Sequence, residues 1–291
     1  MFKGSLVALI TPFRDGKVDE TAFQEHVAWQ LGQGTHGLVP IGTTGECPAL
    51  DEHEQERVIA LCVEVAKGRA PVIPGTGFNS TTHTIAATRA AKAAGADAAL
   101  VVCPYYNKPT QEGLYQHFKA VHDAVDMPVV IYNIPGRSAV DMSNATMARL
   151  AKLPNIVGVK DATNDLARPL RMRVEIEGEF SLLSGEDATA VAYLAQGGDG
   201  VISVTANVAP RLCSEMHQAW QKGDVATVRA INERLIPLHD ALFVETSPAP
   251  VKYAASLLGR CTPDVRLPLW ETTPATQEKV RDAMRGAGLI N

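Results

Sequence analysis

Short apolar runs recur from residue 5 to residue 204, each bounded by glycine, proline or polar residues. The runs are rich in Val, Ile and Leu and are mostly continuous rather than alternating, which is typical of parallel strands covered on both faces. The pattern therefore predicts eight β-strands, at residues 5–10, 37–40, 71–74, 98–102, 128–132, 156–159, 180–183 and 200–204.

Helix-like stretches separate the predicted strands, and several begin with a capping residue and are followed by glycine. They lie at residues 52–66, 80–94, 111–124 and 187–195. Repeated βα units of this kind form either a closed barrel or a doubly wound open sheet. The even spacing and the count of eight favour an α/β fold of the (β/α)8 or TIM-barrel type.

Residues 205–291 follow a helical pattern, with helices predicted at 211–222, 225–243 and 277–286. No linker or low-complexity run separates them from the preceding residues. We therefore predict a single domain over residues 1–291. In it, residues 1–204 form the barrel core, and residues 205–291 form a C-terminal helical extension packed on the barrel.

Composition and charge narrow the classes of ligand. The 291 residues are 46% apolar and carry a formal net charge of -5. This balance argues against nucleic-acid binding, which needs a clustered positive field. The N-terminus runs directly into a strand-like stretch, and the chain has no apolar stretch of about 18 or more residues. We expect small-molecule ligands, no membrane partner and a cytoplasmic location.

The residue types that often hold metals or act as nucleophiles form no recognisable cluster. The five cysteines have neither CxxC pairing nor metal-ligand spacing, so we interpret them as reduced thiols. The eight histidines form no HExxH-like group. Ser184 and Asp187 fit a helix cap better than a hydrolase triad. The sequence thus gives no support for a metal or serine-nucleophile mechanism.

In a (β/α)8 barrel, active sites lie at the C-terminal ends of the strands, where the βα loops meet. Several polar or glycine residues occupy such positions in the predicted pattern. They are the loop Gly42-Thr43-Thr44-Gly45-Glu46 and the residues Tyr105, Tyr106, Tyr132, Lys160, Gly185 and Ser203.

Lys160 ends the apolar run Ile156-Val157-Gly158-Val159, which places its amine in the barrel interior. Burial of this kind lowers the pKa of a lysine. The effect matters because only about one lysine in a few thousand is neutral at pH 7 when its pKa is near 10.4, and only the neutral amine attacks a carbonyl. The alternative is a structural lysine that extends its charge to solvent or pairs with Asp161.

Two neighbouring features support a reactive lysine. Tyr132 ends the adjacent strand and is close enough to exchange protons with an adduct on Lys160, unless it is simply an amphipathic filler. The loop Gly42-Thr43-Thr44-Gly45-Glu46 presents backbone N–H groups and two hydroxyls that suit a carboxylate or phosphate. It lacks the lysine of a P-loop, and a tight βα turn whose Glu46 complements a helix N-terminus is an equally good interpretation.

Two further loops carry candidate chemistry. Arg137 lies after the fifth strand, where its planar guanidinium suits either a second carboxylate or solvent. Gly75-Thr76-Gly77 lacks the third glycine and the downstream acid of a dinucleotide-binding loop. We interpret these glycines as a place of close packing near the barrel mouth.

Six motifs in a fixed order are specific in combination, and they span nearly the whole chain. They lie at residues 42–46, 104–107, 132–135, 157–163, 183–187 and 201–204. By these motifs the sequence resembles the dihydrodipicolinate synthase family of pyruvate-dependent Schiff-base aldolases. The resemblance implies a lyase that condenses pyruvate with L-aspartate 4-semialdehyde to 4-hydroxy-tetrahydrodipicolinate, in lysine and diaminopimelate biosynthesis. It implies no metal or organic cofactor.

The resemblance also implies residue roles. Lys160 would form the imine with pyruvate, while Thr43, Tyr132 and Tyr106 would relay protons, with Tyr106 contributed by an adjacent subunit. An oligomer would then be necessary for catalysis, and we expect a homotetramer built as a dimer of dimers. Thr43 and Thr44 would hold the pyruvyl carboxylate and Arg137 the semialdehyde carboxylate. The implied substrate-binding residues are Thr43, Thr44, Gly45, Arg137, Gly185 and Ile202.

The sequence departs from the lysine-inhibited members of the family at one site. Those members carry two histidines and an acidic residue at the positions occupied here by Glu52, Gln55 and His83, and His53 lies one place away. Asn79 and Tyr105 match the effector site. Because His83 replaces an acid suited to an ammonium group, we predict weak or absent inhibition by L-lysine.

Two alternatives stay open. A related class I lyase acting on a sugar acid such as N-acetylneuraminate shares Lys160 and Tyr132, so those residues predict the mechanism but not the substrate. Arg137 and Tyr106 favour the synthase. A non-catalytic barrel that binds a keto acid would be expected to lack one or more of Lys160, Tyr132 and Thr43, and all three are present.

Overall fold

The computed structural model describes residues 1–291, which group into two compact units. The first unit comprises Met1–Lys3 and Val72–Ile202, and the second comprises Gly4–Pro71 and Ser203–Asn291. The predicted division into a core of residues 1–204 and an extension of residues 205–291 stays a prediction.

The strands are β1 (Gly4–Ala8), β2 (Phe13–Arg14), β3 (Lys17–Val18), β4 (Gly37–Val39), β5 (Ala99–Val102), β6 (Val129–Asn133), β7 (Ile156–Asp161), β8 (Ser181–Ser184) and β9 (Gly200–Ser203). The α-helices are α1 (Glu20–Gly32), α2 (Glu52–Ala66), α3 (Thr81–Ala93), α4 (Gln111–Ala124), α5 (Pro135–Ser138), α6 (Asn144–Leu150), α7 (Arg168–Glu175), α8 (Ala190–Ala195), α9 (Pro210–Gln221), α10 (Val225–Ala241), α11 (Ala249–Leu257) and α12 (Pro274–Gly286). Short 3-10 helices cover Cys47–Ala49 and Thr205–Asn207.

In the first unit the parallel strands follow the order β9, β8, β7, β6, β5. The register of β6 with β7 places Tyr132 opposite Lys160, and the register of β7 with β8 places Lys160 opposite Leu183. Paired residues of neighbouring strands project from the same face of a pleated sheet. The side chains of Tyr132 and Lys160 therefore emerge side by side.

The hydrophobic core of the first unit joins these strands to their connecting helices. Leu114, Phe118 and Val121 recur at helical spacing along α4, and all three are fully buried in one cluster with strand residues such as Val101 and Ile131. Burial of a side chain such as that of Phe118 contributes about 1.5–3 kcal/mol. This packing holds the strands that carry the polar residues at their ends.

In the second unit β1 and β4 pair in parallel, and β2 and β3 form a short antiparallel hairpin. Helix α1 packs against α2, and α10 packs against α9 and α12. A capping box starts α2, because the Asp51 side chain accepts from the Glu54 amide at 2.8 Å and the Glu54 side chain accepts from the Asp51 amide at 3.2 Å. These two bonds satisfy free amides of the first turn, and the helix predicted at 52–66 is confirmed.

The segment predicted as the third strand, residues 71–74, forms no regular strand. Pro71 and Pro74 lack the N–H donors that a ladder needs. The segment still follows β5, since the Leu100 amide donates to the Pro74 carbonyl at 2.8 Å and Gly75 forms an isolated parallel bridge with Leu100. The other seven predicted strands are present, with ends that differ by at most two residues.

Most predicted helices are confirmed, with small differences at their ends. The helix predicted at 187–195 begins only at Ala190. Ser184 instead closes a turn, in which its hydroxyl accepts from the Glu186 amide at 3.1 Å and donates to the Glu186 carbonyl at 3.0 Å, so the predicted helix cap is wrong. The sequence pattern misses α1, whose apolar residues are spread around its circumference. None of the helices has the length and apolar character needed to cross a membrane.

Two buried histidines make stability depend on pH. Burial lowers the pKa of His26 and of His117 to about 4 in the folded chain. The reference pKa of histidine is about 6.5, so the unfolded chain takes up these protons first as pH falls. We predict that the free energy of unfolding decreases between about pH 6.5 and pH 4, by up to about 3 kcal/mol for each histidine.

Urea unfolding at several pH values across this window tests the prediction, with His26→Gln as the comparison. The variant lacks one titrating ring, so its free energy of unfolding should change less steeply with pH by about one proton. Comparison of slopes removes the contribution of carboxylates, which both proteins share. Equal slopes in the two proteins would contradict the assignment of His26.

Candidate active site

Lys160 and Tyr132 end adjacent strands of the first unit, and each residue is only 6% exposed. The Nζ atom of Lys160 lies 4.1 Å from the centroid of the Tyr132 ring. The amine forms no hydrogen bond or ion pair, yet its nitrogen is not among the side-chain atoms that are completely enclosed. Packing therefore confines the amine, and its nitrogen keeps a small solvent-accessible surface.

Lys160 forms no ion pair with Asp161, which was the alternative structural role predicted for it. The Asp161 carboxylate accepts from the Thr163 amide at 3.0 Å, and its Oδ2 lies 3.4 Å from Nε of Arg168. Burial raises the pKa of Asp161, although Thr163 and Arg168 lower it. Successive strand residues project to opposite faces, which explains why neighbours in sequence have separate partners here.

A polar network, in which Asn133 and Arg168 are buried and Asp141 is exposed, fixes the residues that follow the tyrosine and the lysine. Arg168 is 7% exposed, and its Nη1 lies 2.9 and 3.0 Å from the two carboxylate oxygens of Asp141. The Asn133 side-chain amide donates to the same carboxylate at 2.8 Å, and its oxygen accepts from the Met142 amide at 3.1 Å. These charge-assisted bonds join the ends of β6 and β7.

The loop after β8 adds a carboxylate and a close backbone approach. Burial raises the pKa of Glu186, whereas the positive charges of Lys160 and Arg137 lower it. Arg137 itself is exposed on the short helix α5. The Gly185 amide donates to the Asp161 carbonyl at 2.7 Å, and an added Cβ there would lie 2.7 Å from the Ala162 side chain. Only glycine fits this position without a shift.

The loop Gly42–Glu46 belongs to the second unit and folds back on itself. The amides of Gly45 and Cys47 donate to the Gly42 carbonyl at 3.1 and 3.3 Å, and the Glu46 amide donates to the Thr43 carbonyl at 3.1 Å. The amides of Thr43 and Thr44 donate to no group of the chain. Two N–H groups next to two hydroxyls thus remain for a ligand, which favours the interpretation as an anion-binding loop.

Glu46 does not cap a helix, although its alternative role predicted this. It precedes the 3-10 helix Cys47–Ala49 without a side-chain capping bond. Its carboxylate instead accepts from Nζ of Lys252 at 2.7 Å and from the Arg266 amide at 2.9 Å. Burial lowers the pKa of Lys252, and Glu46 raises it.

Tyr106 and Ile202 occupy opposite environments. Tyr106 is 86% exposed, so its ring is not packed against its own chain. Its backbone is left-handed, with a φ of 73°. Ile202 is fully buried in β9. The prediction of close packing at Gly75-Thr76-Gly77 is confirmed, because a Cβ on Gly77 would lie 2.2 Å from the Val102 backbone nitrogen.

The cysteines and the residue types that bind metals form no disulfide and no metal-binding group. All five cysteines are free thiols, as predicted. Burial raises the pKa of Cys47 and of Cys103 to about 12, which keeps both protonated at neutral pH. No group of three or more His, Cys, Asp or Glu side chains is placed to hold a metal ion.

Comparison with known proteins assigns the chain to a protein family. The model of the dihydrodipicolinate synthetase family matches residues 1–287. The chain belongs to this family. Within it, the 4-hydroxy-tetrahydrodipicolinate synthase of Rhodospirillum centenum is 68% identical over 290 residues, which cover 100% of both chains.

Solved structures of dihydrodipicolinate synthases are similar over the same length. The chloride-inhibited enzyme of Acinetobacter baumannii, complexed with pyruvate, is 46% identical, with a TM-score of 0.97 and 100% of each chain covered. The enzyme of Aquifex aeolicus is 45% identical, with a TM-score of 0.97 and 99% of each chain covered. This likeness confirms the predicted fold class, a (β/α)8 barrel with additional C-terminal helices, and the predicted family.

The positions compared with the family's lysine effector site have other partners here. The Gln55 side chain is buried, and its amide donates to the carbonyls of Cys47 at 3.2 Å and Leu50 at 3.0 Å. His83 stacks on Phe78, with ring centroids 3.8 Å apart and an angle of 5° between the planes. Neither side chain brings a negative charge.

The remaining effector positions lie in different settings. Glu52 is exposed in the first turn of α2, Tyr105 is half-buried, and the Asn79 carbonyl accepts from the Asn107 side chain at 2.8 Å. Among these five positions only Glu52 carries a carboxylate.

Sequence reasoning missed several polar residues that the structure places beside the predicted ones. Glu186 lies inside a motif and next to Gly185, so its position after a strand was a usable signal. Arg168, Asp141 and Lys252 lie outside every motif. Only the three-dimensional packing relates them to the family's characteristic residues.

Proposed function

We propose that the chain condenses pyruvate with L-aspartate 4-semialdehyde to give 4-hydroxy-tetrahydrodipicolinate, through a Schiff base on Lys160. The observation that carries the proposal is the Lys160 amine itself. It is buried, has no hydrogen-bonding partner, and lies over the face of the paired Tyr132 ring. The names of the relatives support this reaction over the sugar-acid lyase and over a non-catalytic keto-acid-binding protein.

The first half of the reaction forms a nucleophile from pyruvate. The neutral Nζ attacks the keto carbon, and loss of water gives a protonated imine. The imine withdraws electrons from the adjacent methyl group, which loses a proton to become an enamine. The Tyr132 ring lies next to the amine, and Tyr132 acts with Thr43 and Tyr106 in the proton transfers.

The second half joins the two substrates. The enamine carbon attacks the aldehyde carbon of the semialdehyde, and the new alkoxide takes a proton to become the 4-hydroxyl group. The amino group of the semialdehyde then displaces Nζ from the imine carbon, which closes the ring and frees Lys160. The reaction consumes only the two substrates, regenerates Lys160 and releases one water.

Charge and backbone donors orient the substrates. Thr43 and Thr44, with their available amides, hold the pyruvyl carboxylate, and Gly45 allows the tight turn of that loop. The exposed guanidinium of Arg137 receives the carboxylate of the semialdehyde through two parallel hydrogen bonds. Gly185 and Ile202 contribute backbone contacts to the substrates.

The site as proposed needs a second subunit. The nearly fully exposed ring of Tyr106 supports insertion into the site of a neighbouring subunit. Leu170 and Val174 lie one turn apart on α7 and are 53% and 81% exposed, which supports a further contact between chains. We propose a homotetramer, built as a dimer of dimers, in the cytoplasm, where the five free thiols would stay reduced.

Borohydride reduction in the presence of pyruvate should leave a stable pyruvyl adduct on Lys160. Lys160→Ala should abolish the adduct and lower kcat/KM by at least about 10³-fold, because no other amine replaces the nucleophile. Tyr132→Phe should still trap pyruvate but should turn over about 10² to 10⁴-fold more slowly. Mass mapping of peptides reports the labelled residue. Lys152→Ala removes an exposed lysine and should change neither result. An adduct on another residue would reject the mechanism.

L-Lysine should inhibit the enzyme weakly or not at all. The variant His83→Glu restores a carboxylate at the position where lysine-inhibited relatives have an acid. It should lower the inhibiting concentration by about tenfold or more. Initial rates with increasing L-lysine provide the measurement, and Thr82→Glu places the same charge one residue away as a control. Strong inhibition of the unmodified enzyme at micromolar lysine would show that the effector residues were transferred wrongly.

Mixing two inactive variants tests whether Tyr106 acts across subunits. Lys160→Ala keeps Tyr106, and Tyr106→Phe keeps Lys160, so a mixed dimer has one site with both groups. Refolding the two variants together in equal amounts should restore about a quarter of the activity of the unmodified enzyme. Sedimentation measures the oligomeric state in the same samples. Activity no higher than the mean of the two variants would place Tyr106 outside the partner's site.

A further inference from the structure

A buried ion pair lies directly beside the loop proposed to hold the pyruvyl carboxylate. The side chains of Glu46 and Lys252 are both 0% exposed, and Oε1 of Glu46 lies 2.7 Å from Nζ of Lys252. Lys252 belongs to α11, whereas Glu46 ends the Gly42–Glu46 loop. Neither side chain has a role in the reaction steps above.

Further contacts surround the pair. Oε2 of Glu46 accepts from the Arg266 amide at 2.9 Å. The Lys252 amine lies 4.0 Å from the centroid of the Phe13 ring, and the Arg266 guanidinium lies 4.4 Å from the same centroid. The Arg266 guanidinium also donates to both carboxylate oxygens of Glu54, at 2.6 Å each. The carboxylate of Glu46 is therefore fixed from two sides.

The backbone of the loop is held in an uncommon conformation at both ends. Ile41 has a φ of 46° and Glu46 a φ of 55°. Left-handed backbone is unfavourable for a β-branched residue such as Ile41 and persists only where surrounding contacts impose it. The Thr11 hydroxyl, which donates to the Gly45 carbonyl at 2.7 Å, and the Glu46 carboxylate supply such contacts.

Stability alone does not account for the pair. Two charges lose their hydration on burial, and a well-packed neutral pair of similar size is often equally stable or more stable. The pair does fix the side chain of Glu46, which follows Gly45 in the loop. The direction of the unpaired Thr43 and Thr44 amides depends on that backbone, because the Glu46 amide is bonded to the Thr43 carbonyl.

We propose that the Glu46–Lys252 pair positions the Thr43 and Thr44 amides for the pyruvyl carboxylate. Glu46 and Lys252 are then positioning residues for pyruvate binding. The inference rests on the proposed role of Thr43 and Thr44. It assigns to helix α11 a function in substrate affinity rather than in packing alone.

The test replaces both charges together, as Glu46→Gln with Lys252→Met, so that no unpaired charge stays buried. The variant should fold, its KM for pyruvate should rise about tenfold or more, and its KM for L-aspartate 4-semialdehyde should change by less than about twofold. Hydrogen exchange of the Gly45, Glu46 and Cys47 amides should become faster. The matched control removes the exposed Glu20–Arg57 pair of the same unit, as Glu20→Gln with Arg57→Met, and should alter none of these values.

Two comparisons make the result decisive. Thr44→Val tests the loop's proposed role by itself: an unchanged KM for pyruvate there would reject that role and this inference with it. A raised KM in Thr44→Val with an unchanged KM in the neutral pair would overturn the inference alone. If the neutral pair does not fold, Glu46→Asp keeps the charge but shortens the side chain, so it should still raise the KM for pyruvate. An unchanged value in Glu46→Asp would overturn the inference equally.

Discussion

The parallel register of β6 with β7 is the constraint on which the candidate site depends. It sets Tyr132 opposite Lys160 and leaves the amine 4.1 Å from the ring centroid. A shift of one residue would turn one of the two side chains to the other face of the sheet. The residues that follow them, Asn133 and Asp161, lie in the network with Asp141 and Arg168 that joins the two strand ends. Strand pairing alone therefore brings Lys160 and Tyr132 together.

The two buried lysines differ in a way that matches their surroundings. Lys252 is completely enclosed and paired with a carboxylate, so its charge is compensated within the protein. Lys160 has no such partner, and the neighbouring carboxylate of Asp161 is directed to Arg168 instead. The chain thus contains one buried lysine with a carboxylate partner and one whose amine forms no hydrogen bond.

Much of this arrangement follows from the sequence. Continuous apolar runs predict the strands, because the pattern of a strand is local in the sequence. Lys160, Tyr132 and the Gly42–Glu46 loop are predicted as site residues because they lie at the ends of those strands. The proline-bounded segment at 71–74 misleads for the same reason, since apolar composition does not report missing N–H donors. The partners Lys252 of Glu46 and Asp141 of Arg168 are not predictable, because charge pairing between distant residues leaves no periodic trace in a single chain.

The distance along the chain between Glu46 and Lys252 also has a consequence for how the protein is made. The two residues are 206 positions apart, so a growing polypeptide carries the carboxylate long before its lysine emerges from the ribosome. Until then the carboxylate keeps its hydration shell, because burial without a partner is strongly unfavourable. The Gly42–Glu46 loop therefore cannot complete its buried ion pair until α11 has been synthesised, long after the residues that contain Lys160 and Tyr132.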